Sequence, residues 1–141
     1  MTERLVLLAV ILALAVVAHL IAWRRRGAVS DGAGDRFEPA EVGLDRFPRE
    51  GAFVQFSAPA CGPCRVSLNR LAEAVAHHPG TTTVVEVAVG RKPQLARRHK
   101  VRSAPTVLYV DAAGAVRRRW TRPPERGELA ELLDTRQTTA V

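Results

Sequence analysis

Aromatic residues are scarce in this 141-residue chain, and their scarcity limits what its positive charge can mean. Phe, Trp and Tyr make up 5% of the residues, while 21 Lys and Arg against 14 Asp and Glu give a formal net charge of +7. Surfaces that bind single-stranded nucleic acid interleave basic residues with aromatic rings on which bases stack. That interleaving is missing here, so we expect no nucleic-acid partner and attribute the excess charge to solvated surface arginines.

Cysteine is also rare: Cys61 and Cys64, in the stretch FSAPACGPCR, are the only two. A structural zinc ion takes four ligands, and a single Cys-x-x-Cys supplies two of them. His77 and His78 lie about 18 Å further along the following helix, so we expect no metal. A disulfide that closes so short a loop restricts the unfolded chain little. A reactive dithiol is therefore the favoured interpretation, with a metal site and an inactive pair as the alternatives.

A long apolar run occupies the amino-terminal part of the chain. Leu5 to Trp23 is uncharged and would form a helix of about 28 Å, close to the thickness of a bilayer's hydrocarbon core. Arg24 to Arg26 follow it, whereas a cleaved signal peptide carries its positive charge before the apolar run. We therefore predict an uncleaved single-pass membrane anchor over residues 1–26. Because cytoplasmic flanks carry the excess of Lys and Arg, the domain is predicted on the cytoplasmic side, with the extracytoplasmic side as the alternative.

Beyond the apolar run, composition divides the chain into a tether and one domain. Residues 27–35, GAVSDGAGD, have no apolar period, which predicts a flexible tether. Residues 36–51 carry scattered apolar side chains and two prolines, and their structure stays ambiguous. From Ala52 onward the pattern predicts strand, helix, strand, helix, strand, strand and helix. In that order, these elements cover residues 52–57, 63–78, 82–89, 93–99, 106–110, 115–121 and 125–133.

The order of the predicted elements indicates an α/β fold with a mixed sheet. The first strand, helix and second strand form a βαβ unit, which requires a parallel strand pair and a right-handed crossover. The last two strands are joined by a tight turn at residues 112–114 and should be antiparallel. We therefore expect one domain over residues 36–141, with a mixed central sheet and helices on both of its faces.

Cys61 falls at the junction between a buried strand and a helix. Unpaired backbone N–H groups and the helix dipole favour negative charge there, so we expect the pKa of this thiol to fall from about 8.5 toward neutrality. The thiolate is the nucleophile in thiol–disulfide exchange. Cys64 lies one turn further along the same helix and should be less exposed, which makes it the candidate resolving thiol. Pro63 lacks an N–H and stiffens the loop between the two.

The stretch C-G-P-C after a buried strand resembles the active-site motif of the thioredoxin family. Val101 to Val107, VRSAPTV, is similar to the family's segment before the third central strand, where a proline with a cis peptide bond faces the dithiol. The resemblance covers about residues 51–134. It implies a thioredoxin-like fold and a protein-disulfide reductase whose catalytic residues are Cys61 and Cys64.

The same resemblance assigns four residues to substrate binding. Gly62 and Pro63 lie between the cysteines, and Ala104 and Pro105 form the loop that faces them. A proline in that loop adopts the cis form readily, so the backbone of Ala104 can pair with an extended substrate strand. The implied partners are disulfide-containing protein substrates and an electron donor, either a thioredoxin-reductase-like protein or a membrane thiol carrier. No cofactor is expected.

The sequence departs from the family at the buried acid that assists proton transfer to or from the second cysteine. Gln55 occupies that position, and glutamine cannot act as a base at neutral pH. Glu86, on the neighbouring strand, is a candidate substitute in a proton relay, although a strand-end carboxylate paired with an arginine is the plainer interpretation. Ser57 and Ala60 replace the aromatic residues that usually precede the first cysteine, which predicts a smaller apolar contact surface.

Three functions are consistent with these residues. The first is a membrane-anchored thiol–disulfide oxidoreductase that reduces protein disulfides, and it is the main prediction. The second is an extracytoplasmic thioredoxin-like oxidoreductase of the cytochrome-maturation type. The third is a binding module that keeps the fold but is impaired in redox chemistry, as the missing acid and aromatic residues would allow.

Overall fold

The computed structural model describes residues 2–25 and 35–139 of the chain. The order of strands and helices predicted from Ala52 onward is confirmed, and no strand differs from its predicted range by more than one residue at either end. A single turn of 3-10 helix, Pro39–Val42, precedes the sheet. The elements in chain order are α1 Thr2–Arg25, β1 Ala52–Ser57, α2 Gly62–Ala76, β2 Thr83–Ala88, α3 Pro93–Arg98, β3 Thr106–Val110, β4 Val116–Trp120 and α4 Arg126–Thr139.

The four strands form one mixed sheet in the order β2–β1–β3–β4. β1 and β2 are parallel, with Gln55 opposite Glu86, and α2 connects them. β1 and β3 are antiparallel, with Phe56 opposite Thr106, and β3 and β4 are antiparallel as well. The predicted mixed sheet, with a βαβ unit followed by an antiparallel pair, is therefore confirmed.

Both faces of the sheet are covered, because successive residues of a strand point to opposite sides. On one face Phe53 and Tyr109 pack with leucines of α2 and α4. On the other face Val54 and Phe56 pack with α3 and with the segment before β1. All six residues of β1 are buried. This strand is the rigid centre of the domain, and the chain leaves it directly toward the cysteine pair.

Residues 36–51, which carried no sequence-based assignment, close one side of the domain. Arg36 forms an isolated antiparallel bridge with Ala115, and Phe37 is buried against the sheet. Gly51, where the chain enters β1, has a φ of +94°, and a Cβ there would lie 2.2 Å from the carbonyl oxygen of Val110. A glycine is required at this point, because any side chain would collide with the backbone of β3.

His99, which follows α3, is fully buried and connects the segment before β1 to the sheet. Its ring stacks on Phe37 with centroids 3.6 Å apart, and its Nδ1 lies 3.4 Å from Oδ2 of Asp35. Arg119 donates to the same carboxylate oxygen at 3.1 Å and to the carbonyl of His99 at 2.8 Å. Burial lowers the pKa of His99 below its ordinary value, with the nearby Asp35 carboxylate acting in the opposite direction.

Because of His99, the free energy of unfolding should depend on pH. The pKa of His99 is lower in the folded protein than in the unfolded chain, so between the two values the unfolded chain binds more protons. The part of the folding free energy that depends on a neutral His99 is fully present above about pH 6.5, and it is lost as the pH falls toward the folded pKa. We expect urea unfolding to show a decline in stability between about pH 7 and pH 5 that is smaller in His99→Phe. The exposed control His77→Phe should keep the full decline, and equal declines in all three proteins would contradict the assignment.

Residues 2–25 form helix α1, and the prediction made for this region needs a correction. The large apolar side chains that the structure describes in α1, within residues 6–21, are 48% to 67% exposed. Among the residues described, no helix is long and apolar enough to cross a membrane. The predicted single-pass membrane localisation, on the cytoplasmic or alternatively the extracytoplasmic side, is therefore wrong.

The predicted tether over residues 27–35 falls almost entirely outside the described residues, which resume at Asp35. The segment from residue 36 onward packs on the sheet, as Phe37 illustrates. The division of the chain into residues 1–26, 27–35 and 36–141 stays a prediction, apart from the membrane crossing corrected above.

Candidate active site

Cys61 and Cys64 lie at the amino-terminal end of α2, just beyond the end of β1. They form a disulfide with an S–S distance of 2.14 Å and Cα atoms 5.2 Å apart. Cys61 caps the helix with an extended backbone (φ −89°, ψ 99°), and its Sγ accepts a hydrogen bond from the backbone N–H of Cys64 at 3.2 Å. The helix start thus directs a backbone donor at the Cys61 sulfur, where it would stabilise a thiolate after reduction.

The two cysteines differ in exposure. Cys64 is 3% exposed, and Cys61 is only partly buried. Gly62 and Pro63, which lie between them, are both exposed, and a Cβ added to Gly62 would meet no atom within 4 Å. Cys61 is therefore the more accessible of the two cysteines, while Cys64 is buried in the first turn of α2.

The turn that leads into α2 is small and aliphatic. Ala58, Pro59 and Ala60 are all exposed. Ala60 has a φ of +55°, the left-handed region that residues with a Cβ rarely adopt. Ser57, in contrast, is 6% exposed and points into the protein. The surface directly before Cys61 therefore carries no aromatic ring, and one of the two positions where the family carries an aromatic side chain is occupied here by a buried hydroxyl.

The loop before β3 comes to the same edge of the sheet as the dithiol. The Ala104–Pro105 peptide bond is cis. Pro105 is buried, and Ala104 is partly exposed. Because Thr106 lies opposite Phe56 in the ladder, the cis bond stands beside the end of β1, from which the chain continues to Cys61. The fold therefore brings the loop and the cysteine pair together at one edge.

Gln55 lies directly behind Cys64 and is fully buried. Its Nε2 donates to the backbone carbonyl of Cys64 at 2.9 Å and to Oγ of Ser57 at 3.0 Å. The carbonyl acceptor fixes the orientation of the amide, since only the nitrogen end can donate to it. Among the described residues, the buried atoms without a hydrogen-bond partner include Oε1 of Gln55 and Oγ of Ser67. A neutral amide thus contacts the backbone of Cys64 where the family has a carboxyl.

Glu86 is beside Gln55 in the sheet but is not brought to Cys64. The two residues are paired across the ladder between β1 and β2. Glu86 is exposed on this edge strand, whereas Gln55 is 0% exposed. Of the two candidate relay residues, only Gln55 contacts the backbone of Cys64.

Two buried residues near the dithiol were missed by the sequence analysis. Ser57 was identified only as a missing aromatic residue, but it accepts the hydrogen bond from Gln55. Ser67 is 0% exposed and shares the buried face of α2 with Cys64 and Leu71. Ser67 lies three residues after Cys64 and four residues before Leu71, and residues at that spacing share one helix face. This spacing was a signal that Ser67 is buried.

These observations define a class of protein: a thioredoxin-like α/β domain with a cysteine pair at the start of its first crossover helix. Within residues 2–25 and 35–139, no group of three or more His, Cys, Asp or Glu side chains could hold a metal ion. The family model described as Thioredoxin matches residues 45–135, and the chain belongs to the thioredoxin family.

Two curated relatives match part of the chain. Thioredoxin 1 of Nostoc sp. is 38% identical over 55 residues, which is 39% of this chain and 51% of the relative. The thioredoxin of Griffithsia pacifica is 35% identical over 60 residues, which is 43% of this chain and 55% of the relative. The chain therefore spans about half the length of the curated relatives it matches.

Solved structures share the fold at low sequence identity. Chloroplastic thioredoxin z has a TM-score of 0.56 at 22% identity, with 64% of this chain and 80% of that chain covered. Thioredoxin-2, a component of the malaria parasite protein secretion machinery, has a TM-score of 0.56 at 17% identity, with 61% and 82% covered. At these identities the likeness shows the thioredoxin fold alone.

Gln55→Leu tests how much the buried amide contributes to the fold. The leucine has a similar size but leaves the Cys64 carbonyl and the Ser57 hydroxyl without their donor. We expect the free energy of unfolding of the oxidised protein to fall by about 1–3 kcal/mol in urea titrations. Gln94→Leu, at an exposed site on α3, should change it by less than about 0.5 kcal/mol. Equal effects of the two substitutions would show that the buried hydrogen bonds contribute little.

Proposed function

We propose that the chain is a thiol–disulfide oxidoreductase that reduces protein disulfides through Cys61 and Cys64. One observation carries the proposal: two cysteines at disulfide distance, of which the accessible one caps the first helix after the central strand. Membership of the thioredoxin family and the two curated thioredoxins support it.

The reaction begins with the reduced pair. The Cys61 thiolate attacks one sulfur of the substrate disulfide, forms a mixed disulfide and releases the other substrate sulfur, which takes a proton from water. The backbone N–H that points at the Cys61 sulfur stabilises the thiolate. Exposed Gly62 and Pro63 leave the approach to that sulfur open.

Cys64 then resolves the mixed disulfide. Its thiol loses a proton, and its sulfur attacks Cys61 Sγ, so the Cys61–Cys64 disulfide forms and the second substrate sulfur leaves. The departing sulfur takes up one proton, which balances the proton lost by Cys64. Two electrons have passed from the dithiol to the substrate, which ends as two thiols. An external dithiol or reductase must reduce the pair before the next turnover.

We assign substrate docking to Ala104 and Pro105. The partly exposed Ala104 precedes a cis bond at the edge where Cys61 is reached. An extended substrate segment that pairs with the Ala104 backbone would add a strand beside the dithiol, which is a common mode of peptide recognition. This pairing would hold the substrate sulfur near Cys61 while the exchange takes place.

We assign to Gln55 the positioning of Cys64 without proton transfer. Its amide holds the Cys64 backbone but cannot take a proton at neutral pH. The proton of Cys64 therefore passes through water to the departing substrate sulfur. Exposed Glu86 would exchange that proton only through intervening water.

Single serine substitutions separate the two cysteines' roles. In Cys61→Ser, reduction of insulin disulfides should fall to the rate of dithiothreitol alone, since the nucleophile is gone. In Cys64→Ser, the first step should proceed and mixed disulfides on Cys61 should accumulate, because nothing resolves them. Turbidity and intact-protein mass spectrometry measure these outcomes, with His77→Phe as a remote control. Retained reduction by Cys61→Ser would refute the assignment.

The pH dependence of alkylation distinguishes the proposed enzyme from a binding module with the same fold. In the reduced protein, iodoacetamide labelling of Cys61 should have a midpoint well below 8, because the helix start stabilises the thiolate. A midpoint near the free-thiol value of about 8.5 would favour the binding module.

Gln55→Asp is expected to accelerate the resolving step. A carboxylate at this position can accept the Cys64 proton, and a positioned base contributes roughly a hundredfold or more in favourable cases. Release of thionitrobenzoate from its mixed disulfide with Cys61 measures the resolving step directly. In the Asp variant, the rate of this step should also fall at acidic pH, where the carboxylate becomes protonated, a decline that the wild-type protein lacks. Gln55→Asn matches the aspartate in size but cannot act as a base. Identical rates and pH profiles for the two variants would rule out this role for position 55.

A further inference from the structure

A groove of about 640 Å³ lies at the carboxyl edge of β1 and β2, directly before the dithiol. One of its walls is formed by residues 57–59, which lead from β1 toward Cys61, and the other by residues 86–88 and 90–92. Pro59 stands two residues before the accessible sulfur. A polypeptide that lies in this groove would therefore pass close to Cys61.

The groove carries more positive than negative charge. Arg91 and Lys92 line it, against the single carboxylate of Glu86 among its lining residues in the described part of the chain. Lys92 donates to the backbone carbonyl of Glu41, an uncharged acceptor that leaves the ammonium charge uncompensated. Arg91 is exposed and has no carboxylate partner among the residues that the structure describes.

Two further arginines continue this positive charge near the dithiol. Arg65 follows Cys64 in the first turn of α2. Arg102 lies two residues before Ala104, whose peptide bond to the next residue is cis. Both side chains are exposed. Neither forms an ion pair with a residue in the described ranges. We call Arg65, Arg91, Lys92 and Arg102 the basic edge.

Several arginines in other parts of the domain form ion pairs with carboxylates of the chain itself, although others, such as Arg97 and Arg118, form none within the described residues. The pairs are Arg98 with Glu41, Arg117 with Asp111, Arg119 with Asp35, Arg122 with Glu128, and Arg126 with Glu73. The domain thus uses many of its carboxylates away from the dithiol. The cations of the basic edge keep their charge available to a partner.

We propose that the basic edge is a docking surface for disulfide proteins whose reducible cysteine is flanked by acidic residues. The inference rests on the proposed function and specifies the substrate class that the same site takes. Complementary charges at the rim of an interface act mainly on the rate and orientation of encounter. The preference should therefore appear in kcat/KM and should weaken as salt screens the charges.

The test compares two peptides with the same internal disulfide, one flanked by Glu and one by Lys. With dithiothreitol as the electron source, kcat/KM for the Glu peptide should exceed that for the Lys peptide by about tenfold at 0.01 M ionic strength. The ratio should approach 1 at 1 M, because the screening length falls from about 30 Å to about 3 Å. Because both kcat/KM values are measured on the same preparation, their ratio does not depend on the fraction of the protein that is active.

Four variants assign the preference to the basic edge. Arg91→Gln and Arg102→Gln should each lower the ratio by about two- to threefold, as expected for single exposed charges. Glu86→Gln should raise the ratio, because it removes the carboxylate that repels an acidic substrate from the groove. Arg126→Gln, a matched loss of one charge at the start of α4, should leave the ratio unchanged.

Equal kcat/KM values for the two peptides would overturn the inference, as would a preference that salt does not weaken or an effect of Arg126→Gln as large as that of Arg91→Gln. Failure of the proposed function has a different signature. In that case the wild-type protein would not accelerate the reduction of uncharged 2-hydroxyethyl disulfide by dithiothreitol. If the protein reduces the neutral disulfide but does not discriminate between the two peptides, the proposed activity is retained and only the proposed docking surface is refuted.

Discussion

The position of the Cys61 sulfur at the start of α2 is the constraint on which the site depends. β1 is buried along its whole length and runs parallel to β2, so the connection between them must cross over one face of the sheet. α2 makes that crossover, and it must begin at the edge where β1 ends. The unpaired N–H groups of a helix start are therefore delivered to this edge, and the first cysteine caps them.

Gln55 shows how the chemistry of this edge depends on the groups beneath it. A buried carboxyl would exchange protons with Cys64, but it would also carry the cost of a charge away from water. The amide bonds the Cys64 carbonyl and the Ser57 hydroxyl and stays neutral at every pH at which the protein is folded. Gln55 therefore holds the backbone of Cys64 in a way that does not depend on pH, but it provides no base beside that cysteine. Under the proposed function, solvent near the departing sulfur would take the part of that base.

The elements with strong local signals could be predicted from the sequence, and the contacts between distant segments could not. The apolar, β-branched run of β3 fixed its bounds, and Pro63 marked the start of α2 within one residue. His99 had no such signal: a single histidine after a basic helix resembles a surface residue, and only the approach of Asp35 explains its burial. Helix α4 continues beyond its last buried leucine, where Arg136 lies over the ring of Tyr109 at 5.6 Å, a contact that no periodicity indicates. At the other end of the chain, hydropathy alone led to a membrane span that the structure does not support.

The open space around Gly62 has a practical consequence. A Cβ added at this position would meet no atom within 4 Å, so the surrounding protein leaves open space where a side chain would begin. This position lies beside the Cys61 sulfur and yet makes no packing contact at its Cβ. A small photo-crosslinker or affinity group introduced at this position would lie beside the Cys61 sulfur, and under the proposed function it could covalently mark proteins that approach that sulfur, whereas a large group would close the approach that the glycine leaves open.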